Sequence, residues 1–213
     1  MEIKTIVLPP LGTNCYIIKT GKDSGVIIDP ASKSAKIASA AEELGIKIKK
    51  ILLTHGHFDH TGGVNSLKEE DKSIKVYIHK DDECMLSDGD KAFAFFSTNK
   101  FEKKEADVFI KDGDEIKQDD VTFKVMHTPG HSAGSVCFLV ETEEANYMFA
   151  GDTIFKDSIG RSDGYSGDYI VQKKILALLT FDTISLLLYN LAALHFLYNN
   201  NFPDYFEPKH FLV

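Results

Sequence analysis

The sequence has no tryptophan, three cysteines and a single arginine among its 213 residues. Cys15, Cys84 and Cys137 are odd in number and too far apart to form a C-x-x-C pair. No disulfide framework is expected, which favours a reducing compartment. Cys15 and Cys137 sit in apolar runs, where a free thiol packs as a small hydrophobe. With Arg161 the lone guanidinium and a net charge of -8, there is no Arg cluster for phosphates and no basic face for nucleic acid. The amino terminus lacks a basic segment followed by an apolar signal core, so a cytoplasmic protein is expected. A membrane span needs about 20 uninterrupted apolar residues. The stretch from Ile175 to Tyr198 is broken by Thr180, Asp182, Asn190 and His195, so it reads as a buried or partly exposed helix and no membrane partner is expected.

What is present suits a soluble α/β protein, with 43% hydrophobic and 26% charged residues. Short Ile- and Val-rich runs bounded by Gly, Asp or Pro predict strands at Cys15 to Lys19, Gly25 to Asp29 and Lys50 to Thr54. Between the last two, Ser34 to Leu44 has Ile37, Ala41 and Leu44 on one helical face, and Gly45 follows as a C′ residue. Val76 to His79, Val121 to His127, Ser135 to Val140 and Tyr147 to Ala150 predict further strands. The polar stretch Glu83 to Glu105 reads as a helical or loop excursion over the surface. No internal repeat and no linker divides the chain.

Chemistry is concentrated in Thr54-His55-Gly56-His57-Phe58-Asp59-His60. Alternate side chains of an extended segment point the same way, so His55 and His57 can grip one ion. Asp59 and His60 open the next turn, where Gly62 and Gly63 permit an abrupt change of direction, and can face a second ion or the far side of the first. Imidazole and carboxylate suit zinc, with iron or manganese also accommodated. A polar loop whose histidines only form hydrogen bonds would not need four ligand-type residues in six positions. Two later places support the reading. Thr128-Pro129-Gly130-His131 puts a histidine after a turn at a strand end, and Gly151-Asp152-Thr153 does the same for a carboxylate that can bridge two cations. Each is a common turn alone; together they place His and Asp where loops from one sheet edge converge.

The order H-x-H-x-D-H, T-P-G-H and G-D-T resembles the metallo-β-lactamase superfamily, and most of all its short hydroxyacylglutathione hydrolase (glyoxalase II-like) members. Leu11 to Tyr16, Val26 to Pro30 and Ser158 to Asp163 match that group as well. The resemblance, running from Ile3 to Asp168, implies a four-layer αββα sandwich with metals at one edge between the sheets. It implies that His55, His57 and His131 hold a first metal, that Asp59 and His60 hold a second, and that Asp152 bridges. Asp29 would orient the ligands from behind, and Arg161 is a candidate for a substrate carboxylate, though a surface salt bridge serves it equally well. His79 and His127 match no family ligand and read as structural.

Residues 1–170 therefore form the recognisable domain, and 171–213 an atypical carboxy-terminal segment. The family's late histidine, in a P-G-H-like turn, has no counterpart after Asp163; His195 lies in the apolar run and His210 near the end. A reading-frame change in the gene is one explanation, which resequencing the locus in search of a P-G-H turn in another frame would decide. One well-held zinc is expected, with the second site incomplete.

The activity implied is hydrolysis of a small-molecule thioester such as an S-acylglutathione, by hydroxide generated at the metal. Asp59 would orient the water. An iron-dependent persulfide dioxygenase using His55, His131 and Asp152 is the alternative enzyme, and an inactive product with a disrupted carboxyl end the alternative of another class. β-Lactam cleavage is disfavoured because no export signal is seen.

Overall fold

The computed structural model describes residues 1–97, 100–156 and 158–181, with the backbone alone at 95, 178, 180 and 181. Two sheets face each other. The first runs in the order β1 (Ile3–Leu8), β2 (Thr13–Lys19), β3 (Ser24–Ile28), β4 (Lys47–Leu52), β5 (Lys75–His79) and β6 (Val108–Ile110). Its first three strands pair antiparallel and β3 to β6 pair parallel. The second sheet is an antiparallel meander of β7 (Glu115–Gln118), β8 (Val121–His127), β9 (Val136–Glu141) and β10 (Asn146–Phe149).

Period-two alternation divides the apolar residues between the faces. On β2, Tyr16 and Ile18 pack between the sheets while Cys15 and Ile17 face outward, where Ile37 and Leu44 of α1 (Ala35–Leu44) and Leu67 of α3 (Val64–Glu70) cover them. On β9, Val136, Phe138 and Val140 join the inter-sheet core and Cys137 turns to the other side. The arrangement is the four-layer αββα sandwich expected. Helix α1 has the ends read from its sequence: the Ser34 hydroxyl accepts from the Lys36 N–H, and Gly45 stops the helix at φ 66°.

Three strands escaped the sequence reading, each for a local reason. β1 is an edge strand that buries Leu8 alone, β6 has three residues, and β7 buries Ile116 alone. The stretch from 83 to 105 is also more than a surface excursion. Helix α4 (Glu83–Ser87) buries Leu86 in the layer outside the first sheet and Met85 in a small core of its own with Phe58, Ala92 and Ala94. The boundary drawn after residue 170 falls inside α5 (Tyr169–Phe181), whose Gln172 is buried and donates to the Gly160 carbonyl at 2.9 Å. No helix among the described residues is long and apolar enough to cross a membrane. His195 and His210 lie outside the described residues.

Because β3, β4 and β5 are parallel, their following loops leave the same edge of the first sheet. Those loops carry Asp29, the 54–60 segment and Asp82. The turn after β8 carries His131, and the turn after β10 carries Asp152, so both sheets feed one rim.

Candidate metal centre

Thr54 to His57 follow β4 as irregular backbone, and α2 (Phe58–Thr61) then carries Asp59 and His60. Gly62 and Gly63 were expected to allow a sharp change of direction, but both have ordinary right-handed helical angles. Their need is for space: a Cβ on Gly62 would lie 2.2 Å from the Ala31 carbonyl oxygen, and one on Gly63 would lie 2.8 Å from that of Pro30. This close approach presses the ligand helix against the Asp29 loop. Asp29 itself adopts φ 50°, rare for a residue with a side chain.

His55, His57 and His131 are buried and meet. His131 Nε2 lies 3.2 Å from His55 Nε2 and 2.9 Å from His57 Nδ1. The partners behind the rings fix which nitrogen faces inward. His131 Nδ1 sits 2.6 Å from the Arg161 carbonyl oxygen, so it must carry the proton. Thr54 Oγ1 donates to Asp29 Oδ2 at 2.6 Å and therefore accepts from His55 Nδ1 at 3.1 Å. Two Nε2 lone pairs thus face each other at van der Waals distance or less, an arrangement a cation between them would stabilise. This donor set fits a metal ion.

The second group stands beside the first. His60 Nδ1 is 2.8 Å from Asp29 Oδ2, and its Nε2 is 3.2 Å from Asp152 Oδ1 and 3.5 Å from Asp59 Oδ2. The other Asp152 oxygen lies 3.5 Å from His131 Nε2. One carboxylate therefore presents an oxygen to each group, as a bridge between two cations requires. Nitrogen and oxygen ligands gather into two overlapping sets, His55-His57-His131 and His55-His60-Asp152.

The electrostatics differ between the groups. Burial, reinforced by the neighbouring histidines, holds His55 well below the ordinary 6.5 and pushes His57 down to about 3. Burial opposes the charged form of His60 too, but Asp152, Asp29 and Asp59 outweigh it and hold that imidazole well above 6.5. Asp152 falls to about 2, because His60 and the other histidines overcome its burial.

Two residues to which motif reading assigned no role complete the centre. Asp82 is fully buried; its carboxylate accepts from the Gly56 N–H at 3.0 Å, the Gly134 N–H at 2.7 Å and the Ser132 hydroxyl at 2.6 Å. It ties the 55–57 loop to the His131 loop. Its signal in the sequence is its place just past the end of a parallel strand, on the same edge as Asp29. Thr13 donates to Asp59 Oδ2 at 2.9 Å and fixes that carboxylate. The guanidinium of Arg161 is exposed, makes two bonds to Asp163 and lies over the Phe93 ring at 5.9 Å from its centroid, while its backbone carbonyl meets His131. His79 and His127 stack at the ends of β5 and β8, 4.1 Å and 8° apart, with Asp81 3.8 Å from His79. Parallel rings aim their in-plane lone pairs along parallel lines, and His127 Nε2 is spent on the Ala133 carbonyl at 2.8 Å. The pair joins the two sheets, and with Asp81 it forms a third group whose ligand atoms lie within 4.8 Å of one another.

An αββα sandwich with His and Asp side chains gathered at one rim defines a class of metal-dependent hydrolases. The chain belongs to the metallo-β-lactamase superfamily, whose family model matches residues 8–195. It is 32% identical over 179 residues to the hydroxyacylglutathione hydrolase GloC of Haemophilus influenzae, covering 79% of each chain. It is similar to the crystal structure of BLEG-1, described as a B3 metallo-β-lactamase, with a TM-score of 0.76, 33% identity and 87% of each chain covered. It is also similar to TTHA1623 in a di-iron-bound form, with a TM-score of 0.72, 30% identity, and 84% of this chain and 87% of that one covered. The superfamily is one of dinuclear metallo-hydrolases.

Proposed function

We propose that this protein hydrolyses a small-molecule thioester such as an S-acylglutathione. In this reading His55, His57 and His131 hold a first metal ion, Asp59 and His60 hold a second, and Asp152 lies between them. The observation that carries the reading is the meeting of the His55, His57 and His131 nitrogens beside a carboxylate with one oxygen toward each half. A bound ion supplies Lewis acidity and makes water nucleophilic near neutral pH. The Asp59 carboxylate, steadied by Thr13, would orient the attacking water. A thiolate, with a pKa near about 8.5, departs without a strong acid behind it, which suits a site of imidazoles and carboxylates. The likeness to GloC, whose name states a thioester of glutathione, supports the substrate class. The first half fills before the second, and zinc is the metal assigned, with the di-iron form of TTHA1623 keeping iron in view.

The likeness to BLEG-1 favours β-lactam hydrolysis as a second reading. The test combines metal analysis per chain with three assays on the same preparation: S-lactoylglutathione cleavage, β-lactam opening and oxygen uptake with glutathione persulfide. Metal-dependent cleavage of S-lactoylglutathione or another acylglutathione is the expected result. β-Lactam opening or oxygen uptake without thioester cleavage would overturn the substrate assignment, and two equally tight ions would overturn the order of filling.

A further inference from the structure

Each candidate imidazole has a nitrogen turned away from the centre, and three of the four give it a polar partner. His55 Nδ1 meets Thr54, His60 Nδ1 meets Asp29 and His131 Nδ1 meets the Arg161 carbonyl. His57 differs. Its Nδ1 faces His131, and its Nε2 is buried with no hydrogen-bond partner. With Nδ1 as the inward lone pair, Nε2 carries the proton, so an N–H is shut away from water with no oxygen to receive it. The ring of Phe93 lies against this imidazole in an edge-to-face arrangement, centroids 4.9 Å apart and planes at 69°.

We propose that Phe93 is a positioning residue for His57, its ring face accepting the Nε2–H in place of the carbonyl or carboxylate that usually sits behind a metal-bound histidine. The inference rests on the reading of His57 as a metal ligand.

Three further observations show that the ring is held there deliberately. Phe93 has φ 58°, a left-handed conformation that an aromatic residue adopts only when its surroundings impose it. The Phe58 N–H donates to the Ala92 carbonyl at 2.9 Å, so the loop bearing Phe93 is fastened to the residue following His57. Across the ring stands Gly164, where a Cβ would come within 2.5 Å of the Phe93 Cζ. The absence of a side chain at 164 leaves the ring its position.

The test uses the full chain loaded with zinc and its imidazole N–H protons observed by 15N-resolved NMR. In the wild-type protein the His57 Nε2–H should resonate upfield of the other three, shifted by the ring face, and exchange slowly. Phe93→Leu removes the π face, and Gly164→Ala keeps Phe93 but pushes its ring aside. Both should move the resonance downfield and weaken zinc at the first half by about tenfold in chelator competition, the low end for an outer partner of a ligand. If zinc binds but neither substitution moves that proton, the assignment of Phe93 is wrong. Should the wild-type chain bind no ion, the metal reading itself has failed and this inference falls with it. Gly164→Ala guards against a Phe93→Leu chain that does not fold.

Discussion

The two halves of the centre use the same side chain in opposite ways. In the first, the imidazoles of His55 and His131 are backed by neutral oxygens and His57 by an aromatic ring, and burial keeps His55 and His57 neutral. In the second, His60 is backed by the Asp29 carboxylate and faced by Asp59 and Asp152, which together make it hold a proton in the metal-free chain. What stands behind a histidine thus decides whether it offers a lone pair or a positive charge. The first half offers neutral imidazoles that carry no charge an ion must displace. The second is occupied by a proton that an ion must replace.

Asp152 belongs to both halves, and its removal should have the largest effect. Asp152→Ala takes one oxygen from beside His60 and the other from beside His131. Bound metal should be lost from both halves on dialysis, and hydrolysis should fall by roughly a thousandfold or more, as for a reaction deprived of its metal. Metal content and turnover measured on one sample check this. A variant that keeps its first ion and most of its turnover would show that Asp152 serves the second half alone.

A smaller effect, and one that separates the halves, should come from the buried carboxylates behind them. Asp82 holds the loops of His55, His57 and His131, whereas Asp29 holds His60 directly and His55 only through Thr54. Asp82→Asn sets an amide N–H against backbone N–H donors and should weaken the first ion by about 10–100-fold. Asp29→Asn should weaken the second ion by a comparable factor and the first by less. Stepwise metal titration of both variants reads the contrast. Equal losses at both steps in both variants would mean that the halves are one rigid unit.

How far the sequence revealed this depended on how local each feature is. His55, His57, Asp59 and His60 lie within one short segment, and their ligand chemistry is visible without a fold. His131 and Asp152 were legible because each follows a turn at a strand end, even though the contact between them is a tertiary event. Asp82 was not, because it sits in Lys80-Asp81-Asp82-Glu83, and nothing in that run marks which carboxylate is buried. Phe93 was hidden in the same way: it lies in Glu83 to Glu105, read as a polar excursion over the surface, and the approach of Gly164 that gives its ring a place is a tertiary event. The glycines at 62 and 63 were read correctly as necessary but for the wrong reason, since crowding by the Asp29 loop is invisible in one dimension.

The subtlest consequence concerns the metal-free chain and pH. His57 has its folded pKa pushed down to about 3 from the ordinary 6.5, so protonation favours the unfolded chain. Its contribution is intact above 6.5, and stability is lost progressively as pH falls from there toward about 3. His60 has its folded pKa raised, so its contribution is fully present below 6.5 and is lost as pH rises through the higher folded value. The first half therefore contributes to the acid limb of the stability curve and the second half to the alkaline limb. Chemical denaturation of the metal-free protein across pH should show both limbs. His57→Gln should make the first shallower, with His55 supplying what remains, and His60→Gln should flatten the second, each leaving the other in place. If either substitution flattens both limbs, the two imidazoles titrate as one system, and the division between a neutral half and a charged half does not hold.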